Sequence, residues 1–280
     1  QQWEERLSSR TWALSDSSAT ERRVVVVDID EKSTQALGAW PWPRDRMAQL
    51  LVGLDAYGVN LKVVDVLFDG EQNSAQDTKL VEALQANKAP TVISQLFALS
   101  PDAQVKSGQL ASASSMAATA NTTCPAASTQ AFGFMAAAPA FAQGSQAVGH
   151  ITPIVDTDGN IRRVPAVVCY EGKAYPALAI AGLSAATGAQ PIIKAAPGFM
   201  QSGQVLDVGG LQIPVDAKGQ LRVSYQMPRS GFVSVSAVDV IQGKVPANML
   251  KGTWALVGST AFGGGDAVPT PQGGAVGGVE

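Results

Sequence analysis

The chain has 280 residues, 46% hydrophobic and 15% charged, with a mean hydropathy of +0.09, a balance that builds one large or two small globular domains and excludes a chain disordered throughout. Twenty basic against 23 acidic residues leave a net charge of −3, so no surplus of Lys and Arg exists for a run of phosphates and nucleic acid is excluded as a partner. One histidine and two cysteines cannot close a four-ligand zinc site without carboxylates, and no window of about 20 residues is apolar enough to span a bilayer.

The chain opens on Gln1 without a start methionine or apolar leader and stops at G-G-A-V-G-G-V-E, which reads as a piece trimmed at both ends. Residues 1–22 are expected to hold an N-terminal helix, since Trp3 and Leu7 lie four apart among Glu4, Glu5, Arg6 and Arg10 as a thin apolar stripe. The pattern changes at Val24. V-V-V-V-D-I-D is β-branched and uninterrupted, as a strand buried on both faces of a parallel sheet requires, and L-K-V-V-D-V-L-F at 61–68 is a second such run. Between them Met47, Leu50, Leu51 and Leu54 recur at helical spacing after Pro43, with Gly58 placed to end the helix. Ser74 and Asp77 resemble a capping box for a helix through Leu80, Val81 and Leu84, followed by a short strand T-V-I-S at 91–94.

From Ser107 to Val155 runs a stretch of 49 residues without Asp, Glu, Lys or Arg, rich in Ala, Ser, Thr and Gly, which predicts a low-complexity surface insertion over about 107–150. Beyond it, Asp158-Gly159 separates two apolar runs as a hairpin turn. Residues 174–186 predict a helix entered through Pro176, and short strands follow near 204–206, 211–215 and 221–225. S-A-V-D-V-I-Q-G predicts a brief helix before Gly243, and T-W-A-L-V-G-S-T-A a last buried strand. The fold class expected is α/β: one composite domain over 23–280, with a central mixed, largely parallel sheet flanked by helices and a part rich in β-hairpins.

In open sheets of this kind ligands bind beyond the carboxyl ends of the strands. Asp28 and Asp30 end the first buried run, Asp65 and Asp69 lie in and after the second, and Gly258, Ser259 and Thr260 leave the last. G-A-W-P-W-P-R at 38–44 must cross the same edge, its two prolines holding Trp40 and Trp42 extended and Arg44 opening the next helix. It reads either as an aromatic lid with a cationic clamp or as a plug with Arg44 paired to Asp28 or Asp65. The sequence-predicted ligand site is therefore Asp28, Asp30, Trp42, Arg44, Asp65, Arg163 and Thr260, converging on one crevice suited to a polar or zwitterionic small molecule, with an internal salt-bridge network as the structural alternative.

Other chemistries lack their equipment. Asp28-x-Asp30 is followed two places on by Lys32, where the corresponding phosphatase pattern has Thr or Val. Asp156, Asp158 and Asn160 match three positions of a calcium loop, but Ile161 and Val167 stand where it needs Gly and Glu. His150 is the only imidazole, and neither G-x-S-x-G nor G-x-x-x-x-G-K-[ST] occurs. No catalytic residue, metal or cofactor is expected.

V-V-V-V-D-I-D-E-K-S, G-A-W-P-W-P-R, V-V-D-V-L-F, D-T-D-G-N-I-R-R-V-P, L-V-G-S-T-A, T-P and the terminal G-V-E, in this order, resemble the type-two CHASE domain over Arg22 to Glu280. The long uncharged stretch departs from the usual pattern. The resemblance implies an extracellular sensory module, here the periplasmic domain of a bacterial inner-membrane receptor, flanked by membrane helices and followed by a cytoplasmic cyclase, phosphodiesterase or histidine kinase. It further implies an N-terminal juxtamembrane helix, a homodimer and an unidentified small-molecule ligand. In the oxidising compartment so implied, Cys124 and Cys169 would form the one intrachain bridge available. The competing reading is a stand-alone periplasmic hydrolase or phosphatase that works through the carboxylates.

Overall fold

The computed structural model of the chain describes residues 20–71, 73–86, 88–110, 124, 128–195, 204–225, 227, 229–261, 267–269 and 275–277. The N-terminal helix expected over 1–22 falls almost wholly outside them.

β1 (Glu21–Ile29) buries Val25, Val27 and Ile29 completely, while Val24 and Val26 on the alternate face are half-buried. Asp30 then caps a short helix not anticipated from the sequence, α1 (Glu31–Leu37). α2 (Arg44–Tyr57) begins behind Pro43 and presents Met47, Leu50, Leu51 and Leu54 to the sheet, ending at Gly58 with φ 73°, a left-handed position that glycine adopts without strain. β2 (Leu61–Val64), α3 (Ser74–Gln85) and β3 (Thr91–Ala98) complete the opening wind. The cap of α3 is Asn73, one residue before the position expected. Its side chain accepts from the N–H groups of Ala75 and Gln76, and its own N–H donates to Asp77.

Next come β4 (Lys106–Ser107), β5 (Thr129–Gln130), β6 (Gly133–Met135), α4 (Pro139–Gly144) and β7 (Ala147–His150). Part of the stretch expected as a surface insertion lies in the core. β7 is a parallel neighbour of β3 in the main sheet, and Ala137, Ala138, Phe141, Val148 and His150 are buried. These buried positions lack charge because they are interior, whereas Phe132 and Val155 of the same stretch are exposed.

β8 (Ile154–Val155) and β9 (Ile161–Pro165) form the hairpin predicted around Asp158-Gly159 and extend with β15 (Gln220–Arg222) into a three-stranded sheet. β10 (Val167–Tyr170) pairs with β5 and with β11 (Lys173–Pro176). Residues 174–176 are thus strand rather than the start of a helix, and α5 (Leu178–Thr187) begins after Ala177. β12 (Ile192–Ala195), β13 (Gln204–Val208) and β14 (Leu211–Val215) make an antiparallel meander. β16 (Phe232–Ser236), α6 (Ala237–Ile241), α7 (Ala247–Leu250) and β17 (Trp254–Ser259) follow, then a last hairpin, β18 (Ala267–Pro269) and β19 (Ala275–Gly277).

Among the described residues the central sheet has eight strands in the order β16-β1-β17-β2-β3-β6-β4, with β7 also on β3; the ladders from β16 through β3 and on to β7 are parallel, and β6 is antiparallel to β3. β17 sits between β1 and β2, so the first βαβ unit leaves a slot that a strand from late in the chain fills. α2, α3 and α6 pack on one face over Val25, Val27, Val64, Ala255 and Val257. On the other face α5 lies over Leu61 and Val92. It fits closely because Gly149 has no side chain: a Cβ there would stand 2.5 Å from Leu178 Cα.

Candidate functional site

The register settles what lies at the carboxyl edge. Asp28 is level with Gly258, Val257 is level with Val64, and Asp65 N–H donates to Val257 O at 2.8 Å, which places Asp65 level with Gly258 on its other side. Asp28, Gly258 and Asp65 therefore form one row, the two carboxylate-bearing positions separated by about 10 Å across a residue without a side chain. Val27, Ile29, Val64 and Val66 belong to the helix-side core, so alternation turns Asp28 and Asp65 to the opposite face.

Thr260 closes on this row directly. Its hydroxyl stands 2.8 and 2.6 Å from the two oxygens of Asp28, and its N–H donates to one of them at 3.1 Å. Ser259 donates its hydroxyl to Ile29 O at 3.0 Å, tying the exit of β17 to that of β1. Asp28 is 5% exposed, a buried carboxylate held by neutral donors of the adjoining strand exit.

Asp30 is used differently. It accepts from Ser33 N–H at 2.8 Å as the cap of α1 and from the Ser236 hydroxyl at 2.7 Å, while Ser33 Oγ receives Val238 N–H at 3.0 Å. Burial pushes its carboxyl up, but the hydrogen bonds from Ser33 and Ser236 outweigh this and hold it below the usual range.

Trp42 and Arg44 reach the same end of the sheet on the helix side. Trp42 is 3% exposed, packs in the core and donates its indole N–H to Gly38 O at 2.9 Å; its ring stands edge-on to Trp40 at 6.1 Å, beside a cis Trp40–Pro41 bond. Arg44 is 4% exposed, with Cζ 5.1 Å above the Phe68 ring and 5.6 Å from that of Phe141, and Nη2 donates to Asp69 O at 2.9 Å. Neither carboxylate of the expected plug pairs with it: Arg44 makes no ion pair among the described residues. Two apolar rings at the exit of β2 and in α4 attract the planar guanidinium away from the acidic row.

Arg163 lies on β9, in a separate sheet, with Asp156 and Asp216 each 4.0 Å from its guanidinium. The structure thus joins Asp28 and Thr260 directly and sets Asp65 in their row. It places Trp42 and Arg44 in the helix-side core and Arg163 on the hairpin. Gly258 and Ser259, expected with Thr260 as the exit of the last strand at this edge but not among the seven site residues, belong to the row and to its tie to β1. The would-be calcium loop is filled by protein: Arg162 donates to both oxygens of Asp158 and to Asp156, each at 2.8 Å. Among the described residues no three His, Cys, Asp or Glu side chains are grouped to hold a metal. No helix among them is long and apolar enough to cross a membrane. Cys124 and Cys169 are bridged, with Cα atoms 5.9 Å apart.

No curated protein and no solved structure is similar enough to the chain to count as a match. The family model of the CHASE2 domain matches residues 1–280, the whole chain. With a mixed α/β sheet whose strand exits gather carboxylates and hydroxyls at one edge, and with that match along its full length, the chain belongs to the CHASE2 domain family, the extracellular sensory domains of signalling proteins.

Proposed function

We propose that the chain is the periplasmic input domain of a bacterial inner-membrane receptor, recognising a small polar molecule at the carboxyl edge of its central sheet. The signal passes through flanking membrane helices to a cytoplasmic cyclase, phosphodiesterase or histidine kinase. The observation that carries this reading is the row of Asp28, Gly258 and Asp65 with Thr260 closing on it, at the edge where open parallel sheets hold their ligands. Carboxylates and a hydroxyl on this row favour a ligand with hydrogen-bond donors, such as an amine or a polyol. Trp42 and Arg44 brace the row from below by fixing the exits of β1 and β2. The domain works as a homodimer, so that ligand binding favours one of two subunit arrangements.

A thermal-shift screen of amines, amino acids and sugars tests the site, since a true ligand raises Tm by mass action. Asp65→Asn should abolish that rise and leave the unliganded Tm within a few degrees of wild type. A screen without any response, a response that survives in Asp65→Asn, or an unliganded loss on the scale of a broken buried ion pair, about 3–5 kcal/mol, overturns the assignment.

A further inference from the structure

A second polar spot lies away from the acidic row and does not depend on it. Three buried atoms without hydrogen-bond partners belong to two neighbouring side chains: Nε2 and Oε1 of Gln95 and Nε2 of His150. Gln95 and His150 are paired across the parallel ladder of β3 and β7, so their side chains leave the sheet on the same face, and they are 0% and 1% exposed. That face is the helix side, with Ile93 and Val148 one turn of the pleat before them in the core. Phe97 bounds the spot, its ring 6.1 Å from the imidazole and 5.2 Å from Tyr175 of β11.

The donor and acceptor inventory follows from the neighbours. Thr152 N–H donates to His150 Nδ1 at 3.3 Å, and the Thr152 hydroxyl accepts from Phe97 N–H at 2.8 Å. A neutral imidazole that accepts at Nδ1 carries its proton at Nε2. The spot then presents an N–H of His150, the amide N–H groups of Gln95 and the amide oxygen of Gln95, and exchanging the amide atoms of Gln95 leaves this set unchanged. Interiors rarely leave three such atoms unpaired side by side, because each forfeits the hydrogen bonds it made with water. A charged guest is excluded, since no ion pair is formed there among the described residues and a lone buried charge is far costlier than a lone dipole.

We propose that Gln95 and His150 form an interior receiving site for a small uncharged guest that sets a hydrogen-bond donor beside an acceptor, the chemistry shared by ordered water and by a carboxamide-type solute. A carboxamide would close a two-bond ring with the Gln95 amide, its carbonyl taking the His150 N–H on the second lone pair. Through Phe97 and Tyr175 the occupied site braces the seam between the central sheet and the β10–β11 layer.

His150 is the sole histidine in the chain, so its imidazole signals in an NMR spectrum of the isotope-labelled 280-residue protein identify themselves. Water as the occupant gives a protected Nε2–H with a cross-relaxation peak to solvent; a solute occupant gives a saturable shift of that signal on titration with acetamide, absent in Gln95→Leu. With a guest present, Gln95→Leu strands both the guest and His150 and lowers Tm by about 2–6 °C. With an empty site it removes two unsatisfied atoms and raises Tm. A wild-type spectrum showing neither the solvent peak nor the acetamide shift overturns the proposal whether or not the variant folds, as does a stabilised Gln95→Leu. None of these outcomes bears on ligand binding at Asp65.

Discussion

Lys62 on β2 is fully buried beneath α2, and its ammonium stands 2.6 Å from Asp55, itself 4% exposed at the side chain. Burial pushes the Lys62 pKa down and the hydrogen bond that its ammonium donates to Asp55 pushes it back up, the first effect being the larger. Removing one partner strands the other, so Asp55→Ala should cost about 3–5 kcal/mol in denaturant unfolding, whereas Asp55→Leu with Lys62→Met should recover most of that loss. An additive double variant would contradict the pairing. His150 gives a pH signature of opposite origin: burial alone lowers its pKa to about 3. The unfolded chain binds a proton near pH 6.5 that the folded chain refuses until about pH 3, so stability falls as pH drops through that window, by at most about 5 kcal/mol. The range from 6.5 to 5 separates this from the carboxylates, whose unfolded pKa values lie lower. His150→Phe should flatten the stability profile there in chemical denaturation at stepped pH, and an unchanged slope would count against a neutral buried imidazole.

At the scale of elements, buried runs and helix stops were legible, because a β-branched apolar run or an apolar stripe ended by Gly is a local statement about burial and backbone. V-V-V-V-D-I became β1, and Leu50, Leu51, Leu54 and Gly58 became the buried stripe and left-handed cap of α2. Residues 174–176 were misread because the Ala- and Leu-rich run that follows them favours a helix in isolation, while here Ala174 and Tyr175 pair with Cys169 and Val168. α1 escaped notice for the opposite reason: seven residues with little apolar periodicity are helical because Asp30 caps them and α6 packs beside them. The N-terminal stripe of Trp3 and Leu7 makes its own prediction. It is too narrow for a core and suits a two-helix seam, so sedimentation equilibrium should show concentration-dependent self-association that weakens in a Trp3→Ala, Leu7→Ala variant. Identical masses for both proteins at every concentration would refute self-association through this segment.

For the molecule as a whole, the Cys124–Cys169 bridge joins the uncharged stretch to β10, closing a loop of 45 residues onto a fully buried cysteine. In the chain-entropy account a loop of that size stabilises by about 4 kcal/mol. Unfolding with and without reductant should differ by that order, and thiol titration of the denatured, unreduced protein should find no free thiol. Two thiols per chain would refute the bridge.

The sequence by itself determined the α/β class, the buried strands and the presence of Asp28, Asp65 and Thr260 at strand exits, since each rests on runs of residues close together in the chain, and it determined the family through motifs whose order along the chain needs no folding to be read. Only the tertiary structure decided which exits are neighbours. β17 arrives from late in the chain to lie between β1 and β2, and register then sets Gly258 between the two aspartates. The pleat divided the expected crevice, sending Asp28 and Asp65 to one face while Arg44 stacked on Phe68 and Phe141 in the other layer. Within 107–155 composition did not mark the part that the structure buries beside β3, because a residue enclosed by protein has no need of charge, and neither Phe141 nor His150 announces its neighbours until the sheet has closed around them.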